Sequence, residues 1–402
     1  MTNLPQGWKM ETLGEILSSD KYSIKRGPFG STLKKSFFVE KGIRIFEQYN
    51  PINNDPHWKR YFISHEKFQE LEAFKATEGD LLISCSGTLG KIVELPKDTE
   101  MGIINQALLK IRLNNIKILN SYFIYYFNSP IMQEKILEST LGSAIKNIAS
   151  VKILKQIEIP LPPLKKQERI VGILDESFAK IDESIKILEQ DLLNLDELMQ
   201  SALQKAFNPL KDNAKENYKL PQGWEWKSLE EISENISAGG DKPKNCTESK
   251  TAKNQIPVYA NGVNNNGLVG YTDKATIIKP SLTISARGTI GFVCIRKEPY
   301  FPIVRLISLI PCENILCLHY LYFCLNFFIA KGEGSSIPQL TIPKFKSLQI
   351  PLPPLKEQEQ IAEHLDFVFE KTKALKELYT KELKDYEELK QSLLNKAFKG
   401  EL

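Results

Sequence analysis

Two closely matching stretches set the organisation of this chain: residues 159–175 read IPLPPLKKQERIVGILD, and residues 350–366 read IPLPPLKEQEQIAEHLD. In both, a proline-rich run, which a helix interior does not tolerate, is followed at once by helix-forming residues. The same offset of 191 residues aligns SALQKAF at 201–207 with SLLNKAF at 392–398. The segment from the proline-rich run to the KAF motif therefore has one fixed length in both copies.

A second pair of matching stretches opens each copy. LPQGWKMETLGEI at 4–16 and LPQGWEWKSLEEI at 220–232 are identical in eight of 13 positions, at an offset of 216 residues. The two offsets differ by 25 residues, and all of that difference lies before the proline-rich run. Weaker matches inside this variable part are SCSGTLG at 84–90 with SARGTIG at 285–291, and YFIYYFN at 122–128 with YLYFCLN at 320–326. The chain is thus an internal repeat.

The part of fixed length is predicted to be a long helix, which in the first copy runs from Lys165 to Phe207, about 65 Å at 1.5 Å per residue. Its apolar residues alternate spacings of three and four, a heptad stripe. They are Phe178, Ile181, Ile185, Leu188, Leu192, Leu195, Met199, Ala202 and Ala206. The second stripe is interrupted at Thr372 and Glu382. Its members are Leu365, Val368, Leu375, Tyr379, Tyr386, Leu389 and Leu393.

The two long helices are expected to pack together as an antiparallel coiled coil. The alternative is two independent amphipathic helices, each on its own domain, but the stripes are too long for one small core. The variable parts are expected to be mixed α/β domains, with strands at DLLISCS (80–86) and SLTISA (281–286). The predicted domains are 1–160 and 220–351, with helical spacers at 161–207 and 352–402 and a polar linker at 208–219.

The composition is that of an ordinary globular protein, with 42% hydrophobic and 25% charged residues among 402. This excludes a disordered chain, a collagen-like fibre and a small disulfide scaffold. The net charge of +4 is the sum of unequal parts. The helical segments 165–207 and 356–402 carry −3 and −2, so the remaining 312 residues carry +9. Positive charge therefore belongs to the variable domains, as expected of a DNA-binding part on a protein-binding spacer.

Targeting, membrane and metal features are weak. The MTNLPQGW start lacks the basic and apolar regions of a signal peptide, so a cytoplasmic protein with reduced thiols is expected. Ile315–Ala330 is apolar but only 16 residues long, short for a bilayer span of about 20, and is predicted to be a buried helix. Four residues nearby do not have zinc-site spacing, and core packing is favoured for them: Cys312, Cys317, His319 and Cys324.

The doubled pattern resembles the specificity (S) subunit of Type I restriction–modification enzymes. The resemblance rests on the LPQGW openings, the two PLPPLxxQE stretches, the long helices and the closing KAF motifs, and it covers essentially the whole chain. It implies two target-recognition domains, each reading one half of a split double-stranded DNA sequence. It also implies two methyltransferase (M) and two restriction (R) subunits as partners, with S-adenosylmethionine, ATP and Mg bound on those partners and no cofactor, metal or membrane for this chain.

Three loops are candidates for DNA contact: small and basic residues allow close approach to phosphates and base edges, and asparagine amides can pair with adenine N6 and N7. They contain Arg26, Ser31, Lys34 and Lys35 in the first loop, Ser86, Gly87, Thr88 and Lys91 with their counterparts Arg287, Gly288 and Thr289 in the second, and Asn261, Asn264, Asn265 and Asn266 in the third. Each has a plainer interpretation: a solvated basic loop, tight turns between strands, and asparagines in a left-handed turn. Family members often carry Arg-Gly where the first copy has Ser86-Gly87.

Catalysis by the chain itself is not indicated. The sequence has no GxxxxGK[ST] phosphate loop, and NDPHW at 54–58 only faintly resembles an amino-methyltransferase motif. Asp212, Glu225 and Lys227 fit a loose nuclease spacing that straddles the linker and is attributed to chance. The prediction is a non-catalytic DNA-recognition subunit. Two alternatives stay open: the specificity subunit of a system with a fused methyltransferase–nuclease, and a coiled-coil scaffold joining two ligand-binding domains.

Overall fold

The computed structural model describes residues 5–138, 148–207, 220–329, 332–333 and 340–402. The chain divides into two compact units, one made of Met1–Leu188 with Lys381–Leu402, the other of Glu189–Thr380. We call residues 5–138 and 148–161 the first domain, and the described residues between 220 and 352 the second domain. The predicted polar linker at 208–219 lies outside the described residues.

The first domain is a mixed α/β fold. Its strands are β1 (Lys9–Thr12), β2 (Ile24–Arg26), β3 (Phe38–Val39), β4 (Ile43–Phe46), β5 (Phe62–Ile63), β6 (Lys75–Ala76), β7 (Leu81–Ser84), β8 (Ile92–Glu94), β9 (Gly102–Ile104), β10 (Leu108–Ile111) and β11 (Glu158–Leu161). Its helices are α1 (Tyr49–Ile52), α2 (His65–Glu70), α3 (Asn120–Phe127), α4 (Pro130–Glu138) and α5 (Val151–Leu154), and α6 (Leu164–Phe207) follows.

Three sheets organise these strands. An antiparallel sheet has the order β2-β10-β7-β8, and a second sheet has the order β3-β5-β4-β9-β6 with β4 and β9 parallel. The LPQGW opening leads into β1, which pairs with the proline-rich β11 in a separate two-stranded ladder from Lys9–Leu161 to Thr12–Glu158. This ladder ties the start of the copy to the residues just before α6.

The second domain repeats this plan. Its strands are β12 (Glu225–Ser228), β13 (Ser233–Ala238), β14 (Ile256–Tyr259), β15 (Leu268–Thr272), β16 (Ser281–Ile284), β17 (Thr289–Ile290), β18 (Val293–Arg296), β19 (Phe301–Pro302), β20 (Ile307–Pro311), β21 (Gly332–Glu333) and β22 (Gln349–Leu352). Its helices are α7 (Leu229–Ile232), α8 (Leu318–Phe328) and α9 (Ile342–Lys346), and α10 (Leu355–Lys399) follows.

The sheets of the second domain correspond to those of the first. The order β13-β20-β16-β18 matches β2-β10-β7-β8, and β12 pairs with β22 as β1 pairs with β11. The parallel pair β14–β19 matches β4–β9. The internal repeat and the predicted strands at 80–86 and 281–286 are confirmed. So is the buried helix predicted within Ile315–Ala330, because five residues of α8, among them Cys324, are buried.

Each KAF motif fastens the end of one long helix to a domain. Phe398, near the end of α10, packs in the core of the first unit, with ring centroids 5.3 Å from Tyr122 and 5.0 Å from Tyr126. Phe207, the last residue of α6, packs in the core of the second unit against Tyr320 at 5.7 Å. Both phenylalanines are at most 4% exposed. The repeated motif is therefore a packing element.

The two long helices run antiparallel within each unit. In the first unit, Asp182 of α6 pairs with Lys390 of α10, and earlier residues of α6 share a core with later residues of α10. In the second unit, Asp196 pairs with Lys376, and Leu203 shares a core with Leu365. The alternative of two independent helices is therefore wrong. The predicted stripe of α6 lies on its buried and half-buried face.

The predicted stripe of α10 needs a correction. Leu375 and Leu389, predicted to pack in the seam, are 38% and 44% exposed. Thr372, taken as an interruption, is 2% exposed. The less exposed positions recur with alternating spacings of four and three. They are Leu365, Phe369, Thr372, Lys376, Tyr379, Leu383, Tyr386, Lys390, Leu393 and Ala397. The seam contains two lysines because their aliphatic stems pack there while each ammonium reaches an aspartate of α6.

Candidate nucleic-acid interface

The SCSGTLGK segment forms the tight turn between β7 and β8. The Ser84 hydroxyl donates to the Thr88 carbonyl (2.7 Å) and accepts from the Lys91 amide (3.0 Å), which closes the turn from inside. Gly87 has a φ of +67°, a conformation that favours glycine. Gly87, Thr88 and Lys91 are exposed and Ser86 is half-buried. The segment is thus a tight turn, as one interpretation predicted, and its tip is open to a ligand.

The SARGTIG segment makes the equivalent turn in the second domain. The Ser285 amide donates to the Phe292 carbonyl (2.9 Å), and the Gly291 amide donates to the Ser285 carbonyl (3.0 Å). Gly288 has a φ of +70°. Arg287 and Gly288 are exposed at the tip, and Thr289 is half-buried at the start of β17. The position-for-position match predicted between the two turns is confirmed in their geometry.

The basic loop of the first domain lies beside its turn. Arg26, at the end of β2, points its guanidinium at the backbone of the turn, with Nη2 3.4 Å from the Cys85 carbonyl oxygen. Ser31, Lys34 and Lys35 follow in an exposed segment of 3-10 turns. The structure therefore brings two of the candidate segments together at Arg26.

A further polar segment, missed in the sequence, borders this turn. The Oε1 atom of Gln48, just after β4, accepts from the Ser86 hydroxyl at 3.4 Å. The buried Arg44 guanidinium holds the rest of this loop, donating to the carbonyls of Trp58 (2.6 Å) and Pro56 (3.0 Å). Burial lowers the pKa of Arg44 from its usual value. Tyr49 stacks on Trp58 at 4.3 Å and is 42% exposed.

The asparagine loop of the second domain is a left-handed turn. Asn265 and Asn266 have φ values of +47° and +53°, which asparagine tolerates better than most residues. The Arg296 guanidinium donates to the Asn266 carbonyl and lies 3.5 Å from the ring centroid of Tyr259, so the base of the loop is anchored. The side chains of Asn264, Asn265 and Asn266 are exposed. The left-handed turn is therefore correct, and it leaves these amides on the surface.

Asn261 joins the asparagine loop to two other segments. Its Oδ1 accepts from the Ala286 amide of the SARGTIG turn (2.8 Å), and its Nδ2 donates to the Val304 carbonyl (2.6 Å). Val304 and Arg305 have φ values of +52° and +60°, which cost about 1–3 kcal/mol each in a residue other than glycine. This segment cannot be predicted from the sequence, because the residue pair Val-Arg does not indicate a left-handed turn.

The Cys85 thiol and the NDPHW stretch have structural roles. Burial raises the pKa of the Cys85 thiol to about 11, which leaves it unreactive at neutral pH. In the NDPHW stretch, the Asp55 carboxylate accepts from the amides of His57 and Trp58, both at 3.0 Å, so the motif is a capped turn. Across residues 5–138, 148–207, 220–329, 332–333 and 340–402, no His, Cys, Asp and Glu cluster could hold a metal. Asp212 lies outside this part of the chain.

The family of the chain follows from its match to a family model. The model for the Type I restriction modification DNA specificity domain matches residues 5–192 and 221–385, both copies of the repeat. The chain belongs to this specificity family. Within the part of the chain that the structure describes, no helix is long and apolar enough to span a membrane.

Relatives of the specificity-family chain carry matching descriptions. S.MpnORF507P of Mycoplasma pneumoniae, named as a type I specificity subunit, is 33% identical over 217 residues, 54% of this chain and 56% of that one. The MjaVIII specificity subunit of Methanocaldococcus jannaschii is 25% identical over 351 residues, 81% and 79% of the two chains. The chain thus spans little more than half the length of the Mycoplasma relative.

A solved structure from work on the assembly and conformational transition of a type I restriction–modification system has the same fold. It superposes with a TM-score of 0.81 over 100% of both chains, at 21% identity.

Each domain of this specificity-family chain builds its candidate surface in the same way. A turn between two antiparallel strands meets a polar residue that follows the first strand of the parallel pair, Gln48 in one domain and Asn261 in the other.

Proposed function

We propose that this chain is the DNA-recognition subunit of a Type I restriction–modification complex. Each domain reads one half of a split, asymmetric double-stranded target, and the chain has no catalytic activity of its own. One observation supports this most directly. The same turn-centred surface occurs twice, and at one equivalent position of the two turns the first domain has the half-buried Ser86 and the second has the exposed Arg287. Different tips on equivalent scaffolds fit two half-sequences that differ.

The long helices fit the role of a spacer between the two readers. They contain 44 and 45 residues, each about 66 Å long at 1.5 Å per residue. A helix pair holds a distance, whereas the ends of a flexible linker fluctuate. Because bases in the gap of a split target are not read, their number has to be set by the protein. The two spacers, which differ in length by one residue, supply that measure.

Partner subunits supply the chemistry in this proposal. Two methyltransferase subunits would bind S-adenosylmethionine and modify adenine, and two restriction subunits would bind ATP and Mg and cleave. Several large apolar side chains of the helices are 38–59% exposed and are available for contact with such partners. In the second unit these are Leu193, Leu198, Phe367, Leu375 and Leu378.

The test is to express the chain with the methyltransferase subunit of its system and to map methylated adenines in the host genome. We expect one split motif with two unlike halves. The purified complex should bind that motif at least 100-fold more tightly than a scrambled duplex, with affinity falling as salt rises. Equal binding to both duplexes at every salt concentration would contradict the proposal and favour the protein scaffold.

The same experiment distinguishes a complex with separate methyltransferase and restriction subunits from the related system with a fused methyltransferase–nuclease. In that case the methylating and cleaving activities copurify on one polypeptide.

A further inference from the structure

One segment is built differently in the two domains, although the surrounding strands correspond. In the first domain, the Cys85 amide at the base of the turn donates to the Ala107 carbonyl at 2.8 Å. In the second, the equivalent Ala286 amide donates instead to the Asn261 side chain, also at 2.8 Å. The strand pairings fix the correspondence. Leu109 pairs with Ile83 as Ile307 pairs with Ile284, so Arg305 stands where the first domain has Ala107.

The reason for the difference is the left-handed backbone of Val304 and Arg305. Their amides donate to the carbonyls of Gly240 (2.7 Å) and Gly239 (2.8 Å), and the Val304 carbonyl accepts from Asn261 Nδ2. A Cβ atom on Gly239 would lie 2.6 Å from the Ile303 nitrogen, so only glycine allows this approach. Three hydrogen bonds thus hold two residues in a conformation that neither prefers.

The strained turn puts an arginine on the surface. Val304 is 51% exposed and Arg305 is exposed, whereas Ala107 carries no polar side chain. Through Asn261, the turn is bonded directly to the segment that exposes Arg287 and to the loop that exposes Asn264. Strain of this kind is kept where a fold needs a side chain in one particular place.

We propose that Arg305 is a base-reading residue of the second domain and that it reads a guanine, and this rests on the proposed function. A guanidinium presents two parallel N–H groups that match O6 and N7 of guanine in the major groove, the commonest specific contact of arginine with DNA. Asn261 is a positioning residue, since both polar groups of its side chain bond to the protein. The first domain has no counterpart to this contact, because Ala107 occupies the position.

The experiment compares Arg305→Ala with Lys279→Ala, which removes an exposed cation paired with Glu234 on the same domain. Each full-length variant is expressed with the methyltransferase subunit, and the methylated motif and duplex affinities are measured. In wild-type protein, one position of the second half-site should be guanine. Arg305→Ala should reduce discrimination at that position about 10-fold or more and leave the other half-site unchanged. Lys279→Ala should leave the motif unchanged.

Asn261→Asp tests the positioning role, because a carboxylate still accepts from the Ala286 amide but no longer donates to Val304. It should relax the same base position as Arg305→Ala and leave the other half-site unchanged, which a general loss of folding would not do. If Arg305→Ala instead lowers the affinity for all duplexes equally and makes that affinity less dependent on salt, Arg305 contacts a phosphate and the proposal is wrong. An unchanged motif for Arg305→Ala would also overturn it. A wild-type complex without sequence preference would instead contradict the proposed function.

Discussion

Gln167 and Gln358 give the glutamine of the repeated PLPPLxxQE motif a physical role. Both side chains are 0% exposed. Gln167 Nε2 donates to the carbonyls of Lys117 (3.0 Å) and Pro162 (2.9 Å), and Oε1 accepts from the Leu119 amide (2.9 Å). Gln358 makes the same three bonds, with Ile315, Pro353 and Cys317. Each amide therefore fastens the first turn of a long helix to the loop before a domain helix.

We expect Gln167→Leu to lower the free energy of unfolding of the first unit by about 3 kcal/mol, because buried backbone groups lose their partners. Gln358→Leu should do the same in the second unit. The matched control is Gln200→Leu, on an exposed position of α6, which should change stability by less than about 0.5 kcal/mol. Urea unfolding followed by circular dichroism measures the difference. Equal unfolding midpoints for Gln167→Leu and Gln200→Leu would show that the Gln167 hydrogen bonds do not stabilise the first unit.

The seam of the coiled coil depends on ion pairs between the two long helices as much as on apolar residues. Lys376 and Lys390 occupy seam positions of α10, with side chains 28% and 23% exposed, and each pairs with an aspartate of α6 that is over 60% exposed. Leu375 and Leu389, one residue earlier, point outward. At these two positions, the seam of α10 therefore lies one residue later in the sequence than hydrophobicity alone predicts.

The register predicts how lysine substitutions act. Leu375→Lys should change the melting temperature by less than 2 °C, because the position is exposed, but should weaken copurification with the methyltransferase subunit. Ile181→Lys, at a seam position of α6 that is 6% exposed, should lower the melting temperature by 5 °C or more, since it buries a charge with no partner. Thermal unfolding and pull-down measure the two effects. A large loss of stability in Leu375→Lys would instead support the seam predicted from apolar residues, with Leu375 in it.

The sequence predicted the elements that local patterns encode. The start of the long helix was right to within one residue, Lys165 against Leu164, and the stripe of α6 was right throughout. The predicted stripe of α10 was wrong where lysines occupy the seam, because a charged residue is assigned to the solvent-exposed face unless its ion-pair partner is known. The Gln48, Asn261 and Arg305 contacts could not be predicted, because each depends on a residue between 25 and 43 positions away or on a backbone conformation with no sequence signal.

For the whole molecule, the spacer predicts how the gap of the target can be changed. Inserting seven residues after Leu188 in α6 and seven after Thr380 in α10, where the two units divide, keeps the heptad register of both helices. The insertion adds about 10 Å of helix, close to three base pairs. Methylation mapping should show a longer unread gap and two unchanged half-sequences. Inserting the heptad in α6 alone mismatches the seam and should abolish methylation instead.

An exchange of the second domain tests whether the two readers are independent. Replacing residues 220–351 with the corresponding domain of another specificity chain should change one half-sequence and preserve the other half and the gap. The donor has to keep the aromatic socket of Phe207, because Tyr320, Phe327 and Phe328 surround that ring in the core of the second unit. A chimaera in which the donor residue equivalent to Tyr320 is changed to alanine should therefore be insoluble or support no methylation, whereas the intact chimaera directs methylation of a hybrid motif. A change in both half-sequences would mean that each domain reads part of both halves.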